Sequence, residues 1–493
     1  MPDNPLLIQT LGGKTLLMDI GNDNGLKTTV FDNNHKIVAS PTSPAKLWEP
    51  SAMKHSYVRG VFQMHGKAVI FLEQASKTRK LLRIEVDPET GVVADEVLVA
   101  EIPVQNKGMT GMGNVVPCLF YVEKDKTSDC YAVVLYNPFA HKNEHRIELI
   151  HFNSSNLEIN RQFYERKGSD KKYQDYVAMA VNGDKEVYLC TYDFDTRSSG
   201  GVSCQLVLSK YETGKPDMQS HVLKSAANNY KHYVNLNYLP DDKQLQLMLV
   251  SMIGAKSTGT TIVQQYSSAL GRIDATSLNV LSLLPLPSNS ASLIKREVFN
   301  SRKAYHGLPM GGFINTDNSV SLVMEEDFGD GTVTRGNSYG VALVTIDQSG
   351  KEKDAFLFRH SEGSALNTDF FAMNEVSKGR SDFDRLAYLR TSTGVQYIFF
   401  QEKPENFGLG DKANDEFQTN FGGRRAKTLT TMYYKIVDGK GTEMHLIENE
   451  EKQELYPWLS TSNFDAATNT YAMLVKQGDG RNGNGVIAWL KLD

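Results

Sequence analysis

Tyr57–Ala100 reads YVRGVFQMHGKAVIFLEQASKTRKLLRIEVDPETGVVADEVLVA. It divides into four apolar runs, Tyr57–Met64, Lys67–Gln74, Arg79–Val86 and Val92–Ala100. His65-Gly66 separates the first two, Ala75–Thr78 the next two and Asp87–Gly91 the last two. Each run has the length of a strand, is rich in Val, Ile, Leu and Phe, and is bounded by turn formers. Asp87 can hydrogen-bond its own backbone, Pro88 presets φ, and Gly91 accepts the left-handed conformation that closes a hairpin. The spacing predicts an antiparallel meander of four strands. Such a unit cannot bury its apolar faces alone.

The same plan recurs along the chain. A first turn appears at Gly12-Gly13, His65-Gly66, Lys124–Ser128, Asn182–Asp184, Pro240–Asp242, Asn315–Asn318, Ser392–Gly394 and Asp465–Asn469. Each is followed by an apolar run such as Leu16–Ile20, Tyr131–Leu135 or Tyr471–Val475. A second landmark, an apolar residue before a turn former, alternates with the first. It reads Phe31-Asp32, Val86-Asp87, Phe152-Asn153, Tyr211-Glu212, Tyr266-Ser267, Ile346-Asp347, Val437-Asp438 and Leu492-Asp493.

Radial repetition of four-stranded antiparallel sheets is how a β-propeller buries both sheet faces while leaving only short edges. The layout resembles that superfold across nearly the whole chain, at the level of blades only. The Trp-Asp dipeptide of WD40 blades is absent, the double glycines do not recur in the kelch position, and sialidase-type Asp boxes and quinoprotein Trp repeats are missing. The expectation is all-β, a single β-propeller domain over residues 1–493 with eight four-stranded blades. Seven is the alternative, because the last unit shows three strands and an N-terminal strand could complete it.

In a meander blade the turns joining strands one to two and three to four share one face. Here they are trimmed. The opposite face carries Pro138–His145, Asp193–Gly201, Asp327–Asn337, Lys403–Lys427 and Gly478–Gly485, with long crossings at Pro287–Gly307 and His360–Asp382. Long loops on a compact frame are where function tends to reside.

A net charge of -5 and a pI of about 6.2 argue against nucleic acid as partner. A hydrophobic content of 40% and a mean hydropathy of -0.38 suit a globular protein, and no apolar run nears the roughly 20 residues a membrane-spanning helix needs. Met1–Pro5 has neither the basic start nor the long apolar region of a signal peptide, which leaves a cytoplasmic protein or a mature domain. Cys190 and Cys204 each lie seven residues from Arg197, so a symmetric hairpin would set them opposite one another. Cys118 and Cys130 flank the Lys124–Ser128 turn. Two local disulfides favour an extracytoplasmic, secreted or periplasmic, compartment over the cytoplasm.

His141–His145 matches H-x-x-E-H but runs straight into a strand, whereas zinc-protease chemistry needs that motif on a helix. It reads as a loop. Gly21–Gly25, Asp193–Asp195, Asp327–Gly331 and Gly478–Gly480 could gather Ca²⁺, yet none has the full EF-hand pattern and turn chemistry explains them. No cofactor is expected. No nucleophile elbow or phosphate loop occurs.

The functional expectation is a non-catalytic binding platform that presents its long-loop face to a protein partner, as a subunit of a larger assembly. Its candidate binding residues are Asp327, Phe328, Asp330, Phe407, Phe417, Phe421, Arg424, Arg425 and Lys427, a mixed-charge rim around aromatic anchors. The alternative is a carbohydrate-active or other hydrolytic propeller. Asp327, Asp330, Asp193 and Asp195 would then be its acid–base carboxylates.

Overall fold

The computed structural model describes residues 5–20, 24–75, 78–103, 119–138, 140, 145–166, 171–195, 204–223, 231–258, 261–286, 289–299, 304–326, 339–360, 370–376, 386–402, 430–446, 455–477 and 485–492. Among them are eight antiparallel sheets, each of consecutive strands in sequence order. The fold is an all-β propeller of antiparallel blades.

Blade one contains Leu6–Gln9, Thr15–Asp19, Leu26–Phe31 and Ile37–Ala39, with Thr42–Ser43 also on its third strand. Blade two contains Ser56–Met64, Lys67–Ala75, Thr78–Val86 and Val93–Pro103, the four runs expected from the sequence. Blade three follows as Leu119–Lys124, Tyr131–Tyr136, Ile147–Phe152 and Glu158–Phe163. Blade four is Tyr173–Asn182, Glu186–Phe194, Gln205–Glu212 and Gln219–Leu223, and blade five Lys231–Leu239, Gln244–Thr258, Thr261–Asp274 and Val280–Pro285.

Blade six is Gly307–Ile314, Val320–Glu326, Tyr339–Ile346 and Glu352–His360. Blade seven is Leu386–Arg390, Gln396–Glu402, Thr430–Val437 and Lys440–Leu446. Blade eight has Leu455–Asp465, Thr470–Gln477 and Gly485–Lys491, three strands among the described residues. Leu6–Gln9 pairs with Thr15–Asp19, Leu6 opposite Met18, so the N-terminal strand belongs to blade one and the count is eight.

Packing divides the chain into two compact units. One holds residues 1–10, 14–255 and 264–285, the other residues 11–13, 256–263 and 286–493. Within the first, apolar cores lie between successive blades. Leu16, Met18 and Val30 of blade one meet Ile70, Leu72 and Ile84 of blade two, with Trp48 and Met53 sealing the contact. Phe71 then packs on Tyr131 at 5.1 Å between ring centroids, and Tyr131 stacks on Phe152 at 4.6 Å. Arg83 Nη1 donates to the buried Tyr131 hydroxyl at 2.8 Å, and burial pushes that phenol up to about 12. In the second unit, Phe358, Phe400 and Met432 join blades six and seven, and Phe399 packs on Tyr471 of blade eight.

The trimmed turns explain themselves locally. His65 and Gly66, at φ 52° and 71°, form the two-residue hairpin whose twist matches the flanking strands. Third-to-fourth turns are closed by a side chain on its own backbone. Asp32 accepts from the N–H groups of Asn34 and Lys36, and Asp347 from those of Ser349 and Lys351. The Ser349 hydroxyl and these N–H groups at Asp347, and the N–H groups at Asp32, hold both carboxyls below the ordinary range. In blade five the expected landmark at Tyr266-Ser267 is overtaken, because the third strand continues to Asp274, where the turn forms. The two long crossings contain helices: α1 (Asn289–Phe299) and α2 (Ala372–Val376).

The disulfide expectation is corrected. Cys190 pairs with Leu208 and Asp193 with Gln205, so the hairpin is not centred on Arg197 and Cys204 lies four residues out of step with Cys190. At about 3.3 Å per residue that is roughly 13 Å, beyond any bridge. Cys130, Cys190 and Cys204 are free thiols, and Cys118 lies outside the described residues. As free thiols these cysteines do not speak for an oxidising compartment. Alkylation after denaturation without reductant should label Cys190 and Cys204 on separate peptides. A mass corresponding to a linked pair would contradict this register.

Candidate functional site

The candidate binding residues sit in connections between second and third strands. Asp327, Phe328 and Asp330 fall in segment 327–338 of blade six, and Phe407, Phe417, Phe421, Arg424, Arg425 and Lys427 in segment 403–429 of blade seven. All of them lie outside the described residues. The strands that bracket them are described. Glu325 pairs with Val341, Glu402 with Thr430, and in blade eight Lys476 with Gly485. In all three blades the long segment therefore joins the same two strands.

At this loop-bearing end, second strands carry polar side chains held by a neighbouring element. Glu73, fully buried in blade two, accepts from Arg59 Nε at 2.7 Å and from Arg79 Nη1, and the Phe120 N–H of blade three donates to the same carboxylate at 3.2 Å. Arg59 reaches it because it is the extra residue of a bulge: Val58 faces Leu72 and Gly60 faces Phe71. Fully buried Asp193 in blade four takes Arg166 Nη1 at 2.7 Å, from the crossing that enters the blade. Asp195 pairs with Lys171 at 2.9 Å. In blade six Glu326 is closed by Lys295 of α1, both buried. Blade seven uses an amide instead, Gln401 Nε2 donating to the Pro457 carbonyl at 2.6 Å. Blade eight sets Lys476 Nζ 3.4 Å from the centre of the Trp458 ring.

Carboxylate and cation are thus matched within the frame. Asp193 and Asp195, candidate acid–base or Ca²⁺ carboxylates, are each neutralised by a basic side chain. Among the described residues no group of three His, Cys, Asp or Glu could hold a metal ion. Residues 141–144 of the H-x-x-E-H segment lie outside the described residues. His145 packs on Phe163 with ring centroids 4.8 Å apart and the planes tilted, just before the strand Ile147–Phe152.

Aromatic side chains concentrate where first strands begin in blades three to five. Tyr121 and Tyr176 pack at 4.0 Å, Tyr136 donates to Asp175, and Arg146 lies over the Tyr173 ring at 4.8 Å. His232 is buried, its Nδ1 sharing a hydrogen bond with Ser251 Oγ at 2.9 Å and its ring edge against Tyr192 at 5.5 Å. Burial brings its imidazole down to about 4, so it is neutral at ordinary pH.

No protein-family model and no curated protein matches the chain. Among solved structures, the WD40 domain of SCAP from fission yeast is similar at 9% identity, over 99% of this chain and 95% of its own, with a TM-score of 0.39. A prolyl endopeptidase structure is similar at 10% identity over 97% and 55% of the two chains, with a TM-score of 0.43. A quinohemoprotein alcohol dehydrogenase from Pseudomonas putida is similar at 9% over 96% and 69%, with a TM-score of 0.42. Likenesses at such identities concern the fold alone and assign no activity.

Proposed function

We propose that this protein is a non-catalytic binding platform whose second-to-third-strand connections engage a protein partner within a larger assembly. The observation that carries the reading is the matched charge at the strand ends that flank those connections in sequence. Glu73, Asp193 and Glu326 are each buried against a cation, so these carboxylates anchor the frame rather than wait to exchange protons with a substrate. Recognition then falls to the connections. Arg424, Arg425 and Lys427 supply charge for steering and register, and Phe407, Phe417 and Phe421 supply apolar anchors. The hydrolytic reading loses two of its carboxylates in this way, since Asp193 and Asp195 are each paired with a base, and its other two, Asp327 and Asp330, lie outside the described residues.

The test replaces residues 403–427 by a short glycine-containing turn. The flanking strands keep their pairing through Phe400 and Met432, so the melting temperature should move by no more than about 2 °C. Cross-linking in native extract should lose the partners the unaltered protein retains. Reversing Arg424, Arg425 and Lys427 to Glu should weaken binding of those partners at least about tenfold. Recovery of the same partners at the same yield by both variants would show that this connection is not the working surface.

A further inference from the structure

We propose that segment 370–376, which contains α2, is a strap that lifts and closes as one unit on the first strand of blade six, covering the edge of Gly307–Ile314 turned away from Val320–Glu326. The inference is independent of the platform reading and rests on hydrogen-bond direction, close approach and backbone strain.

Hydrogen-bond direction comes first. The hairpin that follows this strand closes with the Asn315 N–H on the Ser319 carbonyl, and the ladder runs without a shift from Ile314 to Gly311. Odd-numbered residues of that stretch therefore bond to the second strand, and the N–H and C=O of Gly312 point to the opposite edge. Asn374 takes both. Its Oδ1 accepts from the Gly312 N–H at 2.9 Å, and its Nδ2 donates to the Gly312 carbonyl at 2.7 Å. A side-chain carboxamide thus stands where the peptide group of an added strand would stand. Phe371 adds a further bond, its N–H donating to the Pro309 carbonyl at 3.2 Å. Gly311 permits the approach: a Cβ there would lie 3.0 Å from Met373 Cβ and 2.8 Å from the Phe313 ring.

Burial holds the strap down, and its own backbone works against it. Phe370, Phe371 and Met373 are buried, and Met373 joins Phe358 and Leu386 in the cluster shared by blades six and seven. Against this, Phe371 sits at φ 64°, a left-handed conformation that a bulky side chain rarely adopts. The helix α2 has five residues, too few to persist once its contacts are lost. Loosening the Asn374 clamp therefore lets the whole segment go together. The first strand stays behind, because its ladder with Val320–Glu326 does not pass through the strap. When the strap lifts, Gly312 presents the donor and the acceptor by which a sheet edge pairs with an extended chain. The closed strap is thus an autoinhibitory contact on that edge.

Hydrogen exchange of the full chain, read residue by residue in a mass spectrometer, tests the strap. The N–H groups of Gly312, Phe371 and Asn374 should share one protection factor, at least about 100-fold below those of Gly311 and Phe313, which face the second strand. Asn374→Ala should lower the shared value at least about tenfold further and leave Gly311 and Phe313 unchanged. Asn374→Asp, which keeps the acceptor and loses the donor, should fall between the parent and Asn374→Ala. Gly311→Ala should lower it by a separate cause, pushing Met373 away. Equal protection of Gly312 and Phe313 in the parent overturns the proposal, because the strap then opens only with its blade. So does an Asn374→Ala protein in which Phe313 loses as much protection as Gly312. Should that variant not fold, the parent's own comparison remains decisive, and a Gly311→Ala protein with Gly312 as protected as in the parent also counts against the strap.

Discussion

Replacing Glu73 by alanine should destabilise the protein by about 3–5 kcal/mol, because it leaves two guanidinium groups and a backbone N–H without their acceptor. Glu73 is fully buried, and the Arg59 and Arg79 side chains are only 15% and 18% exposed, so water offers little relief. The Phe120 N–H is itself buried, and losing its acceptor adds a desolvation penalty where blade two meets blade three. Glu73→Gln keeps acceptor and shape but loses the charge, and should cost less than half as much. Replacing Arg59, Glu73 and Arg79 together by methionine should recover most of the loss, since a buried ionic cluster exchanged for apolar packing is often neutral. Glu212→Ala is the control: its partner Lys215 is 62% exposed, and the change should stay within about 0.5 kcal/mol. Thermal and urea unfolding of the four variants beside the parent would measure the series. A Glu73→Ala loss no larger than the control's would mean that the cluster does not hold the strand end.

The parts of this molecule readable in advance are those set by neighbours in sequence. His65-Gly66 and Asp438-Gly439 announce two-residue hairpins because their conformational preferences act over two residues, and both form. Asp347 announces a turn because its carboxylate reaches N–H groups two and four residues on. Legibility fails where a strand runs longer than its fellows. Tyr266-Ser267 has the pattern of a strand end, but the hairpin of blade five extends to Asp274. The cysteines fail for a related reason: equal distances from Arg197 assume a symmetric loop, and the ladder between Asp193 and Gln205 is centred elsewhere.

The ion pairs were out of reach for a different reason. Arg59 meets Glu73 only because a bulge turns it, and nothing in Tyr57–Gly60 marks the extra residue. Arg166 and Lys295 arrive from crossings 27 and 31 residues away from their partners. The α1 crossing reads from the sequence as a long connection, although Ser290 to Glu297 carries helix formers. Periodicity locates strands. It does not say which charge from outside the repeat will close on them.

Acid should unfold this protein through His232 before it reaches most carboxylates. In an unfolded chain that imidazole titrates at 6.5, whereas in the folded protein burial lowers it to about 4. Between those values the unfolded state binds the extra proton, so stability must fall as pH drops through 6.5 and level off near 4. At pH 4.5 the loss from this residue alone amounts to about 2.5 kcal/mol, a large share of the usual margin. The Asp32, Asp87, Asp274 and Asp347 carboxyls, all held below the ordinary range, lose their stabilising effect in a lower window, as pH falls below about 4. The two windows are therefore separable. His232→Phe with Ser251→Ala removes the titrating ring together with the hydroxyl it would strand, and keeps an aromatic edge against Tyr192. Near pH 7 the double variant should lie within about 1 kcal/mol of the parent. Between pH 7 and 4.5 it should lose about 2–3 kcal/mol less than the parent does. Urea titrations at both pH values, with the slope checked for constancy, give the comparison. Equal losses in the two proteins would place the acid sensitivity elsewhere and the His232 ring in contact with water.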